Sequence, residues 1–503
     1  MKKNYYELLT NRFYDSNSSG VGDYLGVALK EEYFNNLEID ELIIPSFLDN
    51  YSEIKDKKFI KHHYGSIEDL KNMIMFFHKK RKKVNMIFDF KKSDLYFKNL
   101  KNYEIISNLE DNYPLENINN TFSFFVDSEV TKIIDLKWLR SEKKDNFLKI
   151  IEIYLSLGID GIVFKNILYT NEPNLKFDTN SHIIMNNLIE KIKYLDNKIK
   201  LYGVLDFSFF KHYQKNNFKK FKFDDFFFDF YSNYWIEKKF DNEFNKKYSV
   251  IRNWVFIRKM LLYKENYAFI LNNEQYGRIS SRLAENREDI NLFKKMLFAI
   301  FILNNKNDYF FQGDEIGQEN IHFLSQEDLG EDLFSYKKRL LEEKGINKEN
   351  FFANRSKLSK NNNMTSFAWN SEKGMGFNKQ EKNYFKKPIE FKSNNLTKNF
   401  KDPNSLFNWI KELLYFKKMF FEESEKIKCT KINLNFPNLS VLKYKIIFSK
   451  CEFLIFINLS KKTKKIYVNR NKFELKINSL KDKIEDKSIL EISKYQVLLF
   501  QKK

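Results

Sequence analysis

A run of oxygen-bearing side chains near the start of the chain has the spacing of a metal loop. Asp15, Asn17, Ser19 and Asp23 stand at alternate positions of the segment DSNSSGVGD. A hard cation such as Ca²⁺ or Mg²⁺ requires several oxygen ligands of this kind. The same groups can instead hydrogen-bond one another in a turn that holds no metal, and the sequence leaves both alternatives open. No other cofactor site is indicated.

A second candidate for chemistry is the pair of adjacent acids Asp314 and Glu315 in the segment QGDEIG. Two carboxyl groups work together as acid and base only when both face the same substrate. Adjacent residues of a strand or turn point apart, so we interpret this pair as architectural.

Strand-like and helix-like segments alternate along most of the chain. Apolar, β-rich segments lie at 41–45, 84–90, 161–164, 200–205, 267–271 and 308–311. The N-terminal segment is also strand-like. Residues 67–80 place Leu70, Met73, Ile74 and Phe77 on one face of a helix. Strands that alternate with helices predict parallel βα units around an apolar core.

The pattern changes after about residue 423. Segments with strand periodicity follow one another without helices at 441–448, 452–459, 465–469, 472–477 and 495–501. They predict a separate antiparallel β domain behind the helix-like stretch 405–421. Residues 95–132 are polar and weakly periodic, which indicates an insertion after the third strand.

The net charge of +20 does not by itself predict a nucleic-acid partner. Lysines are dispersed through a composition that also contains 53 Phe and only 14 Gly, as expected from a nucleotide bias toward A and T. The densest cluster, KKRKK at 79–83, is predicted to be a solvated turn at a helix C-terminus. No nucleic-acid-binding motif accompanies it.

Cysteine content and hydropathy predict a cytoplasmic protein. Only Cys429 and Cys451 occur, so disulfides do not organise the fold. The N-terminus lacks the apolar stretch of about 7 to 15 residues typical of a signal peptide. The longest apolar run, 296–303, is shorter than the roughly 20 residues of a membrane span.

Four segments together resemble the oligo-1,6-glucosidase and sucrose-isomerase group of glycoside hydrolase family 13. FYDSNSSGVGDYLG at 13–26 is similar to its metal-loop signature, and FQGDEIGQEN at 311–320 resembles its YQGxEIGMTN. MTSFAWNSEKGMGF at 364–377 follows its RTPMQWD...GF pattern, and 402–416 follows its D-P-x-S helix. These segments occur in the expected order over roughly 400 residues.

The resemblance implies an α/β fold: a (β/α)8 TIM barrel with a shortened insertion after strand 3 and a C-terminal antiparallel β-sandwich. Residues 1–94 and 133–422 are assigned to the barrel, 95–132 to the insertion and 423–503 to the β domain. The insertion has about half the length usual in the family, which would leave the sugar pocket open.

The resemblance also implies that the catalytic carboxylates are missing. Lys165 stands at the nucleophile, Val204 at the acid, Gln275 at the transition-state stabiliser and Val163 at the family's arginine. A retaining glycosidase needs a nucleophilic carboxylate and a carboxylic acid about 5 to 5.5 Å apart. Because lysine cannot form the glycosyl ester and valine has no proton to give, no catalytic residue is retained.

Asp89, Asp206, Glu274 and Arg278 remain for a residual pocket. Glu274 lies one residue before the stabiliser position, and in a strand that shift turns a side chain to the opposite face. Asp206 lies two residues past Val204, about 6 to 7 Å further along its strand. We therefore disfavour a rearranged active site.

The positions around these acids are altered as well. Glu274 itself stands where the family has a histidine, no histidine follows Asp89, and the loop 46–56 lacks the sugar-gripping NGYD. Asp160 faces away from the barrel mouth and belongs to a structural GIDG turn. Lys165 is interpreted as the ion-pair partner of Asp89, the alternative being a Schiff-base lysine with a lowered pKa.

For the metal loop, the resemblance adds the backbone carbonyl of Val21 to the ligand set of Asp15, Asn17 and Asp23. Ser19 replaces a carboxylate of the family. The lower negative charge predicts weaker cation binding.

The leading functional hypothesis is a catalytically inactive family 13 homologue, a binding or scaffold protein for an unknown protein partner or a weak sugar ligand. The runner-up is a divergent α-glucosidase for short α-linked glucosides or sucrose-like sugars, with relocated acids. A third hypothesis is electrostatic association with RNA or an acidic membrane surface.

Overall fold

The structure is a computed structural model that describes most of the chain. It covers residues 2–46, 65–90, 143–167, 181–206, 220–229, 268–274, 277–283, 288–304, 307–321, 360–381, 383–421, 428–433, 440–447 and 451–503. The predicted insertion at 95–132, most of the loop 46–56 and Gln275 lie outside these ranges.

A parallel sheet of eight strands forms the first architectural unit. The strands are β1 Asn4–Glu7, β2 Glu41–Pro45, β3 Lys83–Asp89, β4 Gly161–Lys165, β5 Lys200–Asp206, β6 Asp225–Asp229, β7 Ala268–Ile270 and β8 Asp308–Phe311. Their order is β7-β6-β5-β4-β3-β2-β1-β8, and the two end strands β7 and β8 lie against each other. The sheet is therefore a nearly closed barrel, which confirms the predicted (β/α)8 fold.

One barrel strand, β6, is not predicted by the sequence. Its central residues Phe226, Phe227 and Phe228 are all buried. These phenylalanines lie in a stretch, 207–230, that contains many others, so they do not stand out in the sequence as a separate apolar segment. Strands β2 to β5, β7 and β8 coincide with predicted segments to within one residue at each end, and β1 lies in the N-terminal segment that was predicted without bounds.

Helices cover the outside of the barrel. They are α1 Thr10–Phe13, α2 Tyr24–Ala28, α3 Glu31–Asn36, α4 Ile67–Lys79, α5 Lys143–Ser156, α6 Ser181–Leu195, α7 Ile279–Leu283, α8 Ile290–Asn304, α9 Leu396–Lys401 and α10 Leu406–Phe421. None of the helices within the described ranges is long and apolar enough to cross a membrane.

Helix α4 confirms the predicted apolar face and shows why the helix begins where it does. Its residues Leu70, Met73, Ile74 and Phe77 are buried, and Ser66 forms a capping box with Asp69. The basic cluster that follows is a solvated turn only in part. Residues 79–81 and Lys83 are exposed, but Lys82 is buried and donates to the carbonyl of Ile39 at 2.8 Å.

Apolar side chains fill the inside of the barrel. This inner core consists of Tyr5, Ile43, Ile87, Val163, Tyr202, Val204, Phe227, Ala268, Ile270 and Tyr309. Each comes from an inward-facing position of a barrel strand. The interior is thus a packed core and not a pore.

Two antiparallel sheets form the C-terminal unit. The strands are β9 Lys428–Asn433, β10 Val441–Ile447, β11 Glu452–Asn458, β12 Lys464–Tyr467, β13 Phe473–Asn478, β14 Ile489–Ile492 and β15 Val497–Lys502. One sheet has the order β13-β15-β11-β10-β9 and the other pairs β12 with β14. A buried apolar cluster between them, including Phe456, Ile466 and Leu490, holds the two sheets together.

The C-terminal unit packs on the barrel through α8 and α10. The rings of Phe416 and Phe420 lie 5.0 Å and 4.9 Å from that of Phe453. The Trp409 indole donates to the carbonyl of Lys295, whose ammonium in turn donates to the carbonyl of Ser479. These contacts fix the β unit against the outer helices α8 and α10 of the barrel.

Candidate functional site

The mouth of the barrel gathers the polar residues that end its strands. Glu7 is the last residue of β1, Asp89 of β3, Lys165 of β4 and Asp229 of β6. Parallel strands end at one edge of the sheet, so these four side chains lie in one layer above the inner apolar core. Active sites of this fold occupy that face of the barrel.

Lys165 is the centre of this layer. Its Nζ atom lies 2.6 Å from Oε1 of Glu7 and 2.7 Å from Oε2 of Glu274. The hydroxyl of Tyr309 donates to the other oxygen of Glu7. The ammonium therefore occupies the space between two carboxylates, and the predicted pairing of Lys165 with Asp89 is wrong.

The charges in this cluster support one another. Burial would lower the pKa of Lys165, but the carboxylates of Glu274 and Glu7 outweigh burial and raise it above its usual value. Burial raises the pKa of Glu7 even though Lys165 opposes the shift. A lysine held in its charged form cannot attack a carbonyl, which removes the Schiff-base alternative.

Asp89 and Asp229 each bind a neighbouring amide. Asn166, which follows Lys165 in a left-handed conformation with φ of 57°, donates to Asp89. Asn273 donates to Asp229 across the loop after β7. Both carboxylates are at most 8% exposed, so each is held against the barrel by a hydrogen bond.

Val163 and Val204 lie below this layer in the inner core. Val163 is fully buried and Val204 is 8% exposed. Neither side chain can donate a proton or bind a carboxylate. At the two positions that the resemblance assigns to the arginine and the acid, the barrel is apolar.

Glu274 reaches the mouth, contrary to the prediction from strand alternation. Strand β7 ends at Ile270, so Glu274 stands in a turn beyond the strand and the alternation rule does not apply. Its side chain is 13% exposed and contacts Lys165. Asp206 ends β5, opposite Asp229 in register, and its side chain lies outside the described residues.

Arg278 does not belong to the mouth. It is 2% exposed, lies 3.4 Å from Asp314 and donates to the carbonyl of Gln312 at 2.7 Å. Asp314 also accepts from Asn272. These bonds tie the loop after β7 to the loop after β8, so Arg278 is a structural residue.

The acids Asp314 and Glu315 point apart, as predicted. Asp314 faces Arg278, whereas Glu315 accepts hydrogen bonds from the hydroxyls of Tyr6 and Tyr33. Asp160 also has the predicted structural role. Its carboxylate accepts from the backbone N–H of Val84 at the N-terminal end of the barrel.

The metal-loop oxygens are engaged by N–H and O–H donors. Asp15 accepts from the backbone of Ser19 and Gly20, and Asp23 accepts from the backbone of Ser16 and Gly26. Asn17 accepts from the Ser19 backbone, and the Ser19 hydroxyl donates to the carbonyl of Val21. Donors aimed at the ligand oxygens do not fit a cation among them.

The described ranges contain no group of three or more His, Cys, Asp or Glu side chains arranged to hold an ion. We therefore expect the melting temperature to change by less than about 1 °C between EDTA and millimolar Ca²⁺ or Mg²⁺. Ser19→Asp, which restores a carboxylate, is the matched variant. In it we expect Ca²⁺ or Mg²⁺ to raise the melting temperature measurably. A large Ca²⁺ stabilisation of the unmodified protein would contradict the hydrogen-bonded turn.

Five residues of the mouth were not singled out by the sequence: Glu7, Asn166, Asp229, Asn273 and Tyr309. Glu7 could have been found from the sequence. It ends the first strand, and the C-terminal ends of parallel strands, including that of Lys165, lie at one edge of the barrel. Tyr309 could not have been found in this way, because it lies within the inner core and only its hydroxyl, at the end of a long side chain, reaches the mouth.

Comparisons with known proteins agree with this architecture. A family model described as the alpha-amylase catalytic domain matches residues 7–93 and 88–423. The chain is 22% identical over 473 residues to a probable oligo-1,6-glucosidase 2 of Bacillus subtilis, covering 82% of this chain and 83% of that protein. It is 23% identical over 469 residues to an oligo-1,6-glucosidase of Parageobacillus thermoglucosidasius, covering 82% of each.

Solved structures show the same fold. The trehalose-6-phosphate hydrolase of Bacillus licheniformis superimposes with a TM-score of 0.74 at 19% identity, covering 100% of this chain and 99% of that one.

Proposed function

The chain belongs to the alpha-amylase catalytic-domain family, and we propose that it is a member without glycosidase activity that acts as a binding or scaffold protein. The observation that carries the proposal is the ammonium of Lys165 between Glu7 and Glu274. At the position of the nucleophile, a cation fills the space that a sugar's anomeric carbon would have to enter.

The chemistry of the reaction supports this interpretation. Retaining hydrolysis forms and breaks an ester on a carboxylate that faces the substrate. Glu7 is 1% exposed and bonded to Lys165 and Tyr309, so it cannot reach a sugar. Losing a single catalytic partner typically lowers the rate by about 10³ to 10⁶.

The proposal predicts no turnover of α-glucosides. Purified protein incubated with p-nitrophenyl α-glucoside, maltose, isomaltose, sucrose and trehalose should release no more product than buffer. An active oligo-1,6-glucosidase serves as the positive control. Turnover that disappears in Glu274→Gln but persists in the exposed-site variant Glu32→Gln would contradict the proposal.

The binding role has its own test. Thermal-shift measurements with the same sugars should show no stabilisation, and affinity purification should recover one protein in a fixed ratio to the chain. A sugar that raises the melting temperature, with no protein in fixed ratio, would point to a lectin-like role instead of a scaffold.

The position of Glu274 favours a second candidate, a divergent α-glucosidase. Its carboxylate lies at the barrel mouth and is partly exposed, so it is available to act as an acid if Lys165 moves aside. Activity in Lys165→Ala that is lost again in Lys165→Ala/Glu274→Gln would support this candidate.

A further inference from the structure

The sheet of β12 and β14 presents apolar side chains to solvent. Tyr467 and Ile489 lie opposite each other in register and are 62% and 63% exposed. Their neighbours Ile466 and Leu490 point the other way, into the apolar cluster that joins the two sheets. Because side chains alternate along a strand, Lys465 lies on the same outer face as Tyr467. The outer face therefore combines an exposed apolar pair with a lysine.

The turn that leads into β12 places further lysines beside this face. Lys462 lies in the turn, and Lys464 is the first residue of the strand. The amide of the fully buried Asn458 donates to the backbone carbonyls of Lys462, Ile492 and Ser493 at 2.8, 3.1 and 2.9 Å. These hydrogen bonds tie the turn to the end of β14, so its lysines extend from a fixed backbone.

The positive charge of this face is not neutralised within the described part of the chain. Lys462, Lys464 and Lys465 form no ion pair with any carboxylate there. The outer face also holds one acid, Glu491, opposite Lys465. Several other basic residues of the C-terminal unit are ion-paired: Lys445 and Lys502 with Glu452, Arg470 with Asp486, Lys476 with Glu474 and Lys487 with Glu485. A net positive charge therefore lies beside the apolar pair.

Another exposed apolar pair of the molecule shows the contrast. Tyr415 and Met419 are 61% and 55% exposed on α10. The lysines between them are ion-paired, Lys417 with Asp308 and Lys418 with Glu38. Positive charge on α10 is thus balanced inside the molecule, whereas at the β12–β14 face it can attract an external anion.

We propose that the β12–β14 face binds the surface of an anionic phospholipid bilayer. The lysines contact the charged headgroups, Ile489 inserts beneath them, and Tyr467 lies at headgroup level, where aromatic rings with a polar end are favoured. The net charge of +20 attracts the whole molecule to such a surface. The isoleucine favours a bilayer over RNA, because nucleic-acid bases stack on flat aromatic rings. This binding does not depend on the mouth of the barrel.

Sedimentation with lipid vesicles tests the proposal on the full-length protein. The protein should bind phosphatidylcholine vesicles that contain about 30% phosphatidylserine, at about 0.1 M NaCl, and should not bind vesicles of phosphatidylcholine alone. Each lysine near an anionic bilayer contributes about fivefold to partitioning. Lys462→Gln/Lys464→Gln/Lys465→Gln should therefore bind about a hundredfold more weakly.

Two further variants separate the face from net charge. Lys445→Gln/Lys476→Gln/Lys502→Gln removes the same number of charges from lysines that are already ion-paired, and should bind within about threefold of the unmodified protein. Tyr467→Ser/Ile489→Ser keeps every charge and should bind about tenfold more weakly. Melting temperatures of all three variants show whether each has kept its fold.

Equal loss of vesicle binding in the two triple-lysine variants would overturn the proposal, because binding would then follow net charge alone. Full binding by Tyr467→Ser/Ile489→Ser would contradict insertion of the apolar pair. Retention on single-stranded RNA that requires Lys462, Lys464 and Lys465, without binding to either kind of vesicle, would also overturn the proposal and identify a nucleic-acid surface.

Discussion

Lys165→Met should lower the free energy of unfolding by about 3 to 5 kcal/mol at neutral pH. Methionine is unbranched like lysine but one atom shorter, and it leaves the buried carboxylate of Glu7 without the ammonium that lay 2.6 Å from it. An uncompensated buried charge costs more than the pair contributed. Urea unfolding followed by tryptophan fluorescence measures the loss, with the exposed-site variant Lys149→Met as control.

The loss should depend on pH in a defined direction. Burial already raises the pKa of Glu7 in the presence of Lys165, and removing the cation raises it further. A carboxyl group whose folded-state pKa is raised costs stability as the pH increases from its unfolded pKa through its folded pKa. Because Glu7 already has a pKa of about 7 in the unmodified protein, the deficit of Lys165→Met should be constant in acid and should grow as the pH rises above about 7.

A double variant isolates the cause. Lys165→Met/Glu7→Gln removes the two fully buried charges and should recover a large part of the lost stability, because the carboxylate that remains, Glu274, is partly exposed to solvent. A deficit below about 1 kcal/mol in Lys165→Met, or a double variant no more stable than the single one, would show that the cluster does not hold the mouth together.

Glu315→Gln should become more stable, relative to the unmodified protein, as the pH rises. Glu315 is fully buried, accepts from the hydroxyls of Tyr6 and Tyr33, and forms no ion pair with any described residue. Burial raises its pKa from 4.5 to about 7, although the tyrosine hydroxyls oppose the shift. Glutamine keeps the acceptor oxygen and carries no charge.

The pH window follows from this shift. The protonated carboxyl group of Glu315 contributes to the free energy of unfolding. This contribution is fully present below the unfolded pKa of 4.5 and is lost as the pH rises through the folded pKa of about 7. Between pH 5 and pH 8 the unmodified protein should lose about 2 to 3 kcal/mol more than Glu315→Gln.

Urea midpoints at pH 5, 6, 7 and 8 measure this difference. Glu32→Gln, an exposed residue of α3, is the matched control and should run parallel to the unmodified protein. If the urea midpoint of Glu315→Gln also changed with pH in parallel with that of the unmodified protein, Glu315 would not change its protonation state over this range.

Local patterns predicted parallel βα units and a separate β domain, and the resemblance to the family added that these units close into a barrel. The segment 67–80 shows why, since apolar residues at helical spacing are a property of the local sequence alone. Strand β6 was missed because its phenylalanines lie in a stretch, 207–230, that contains many others and so do not stand out as a separate apolar segment.

The candidate site was only partly predictable. Lys165, Val163 and Val204 could be placed at catalytic positions from their neighbours in sequence. The partner of Lys165 could not, because Glu7 and Glu274 lie 158 and 109 residues away and several carboxylates share the mouth. The expectation for Glu274 failed because it assumed that β7 extends four residues further than it does.

The sequence by itself indicated a barrel and, through the resemblance, placed Lys165 and Val204 at the positions of the family's nucleophile and acid, since both inferences depend on which residue types stand in recognisable segments. Only the tertiary structure decided what surrounds these positions: the ammonium of Lys165 lies between Glu7 and Glu274, above the apolar inner core. Side chains from distant strands meet at a position set by barrel closure and by where each strand ends, and no local pattern encodes that geometry.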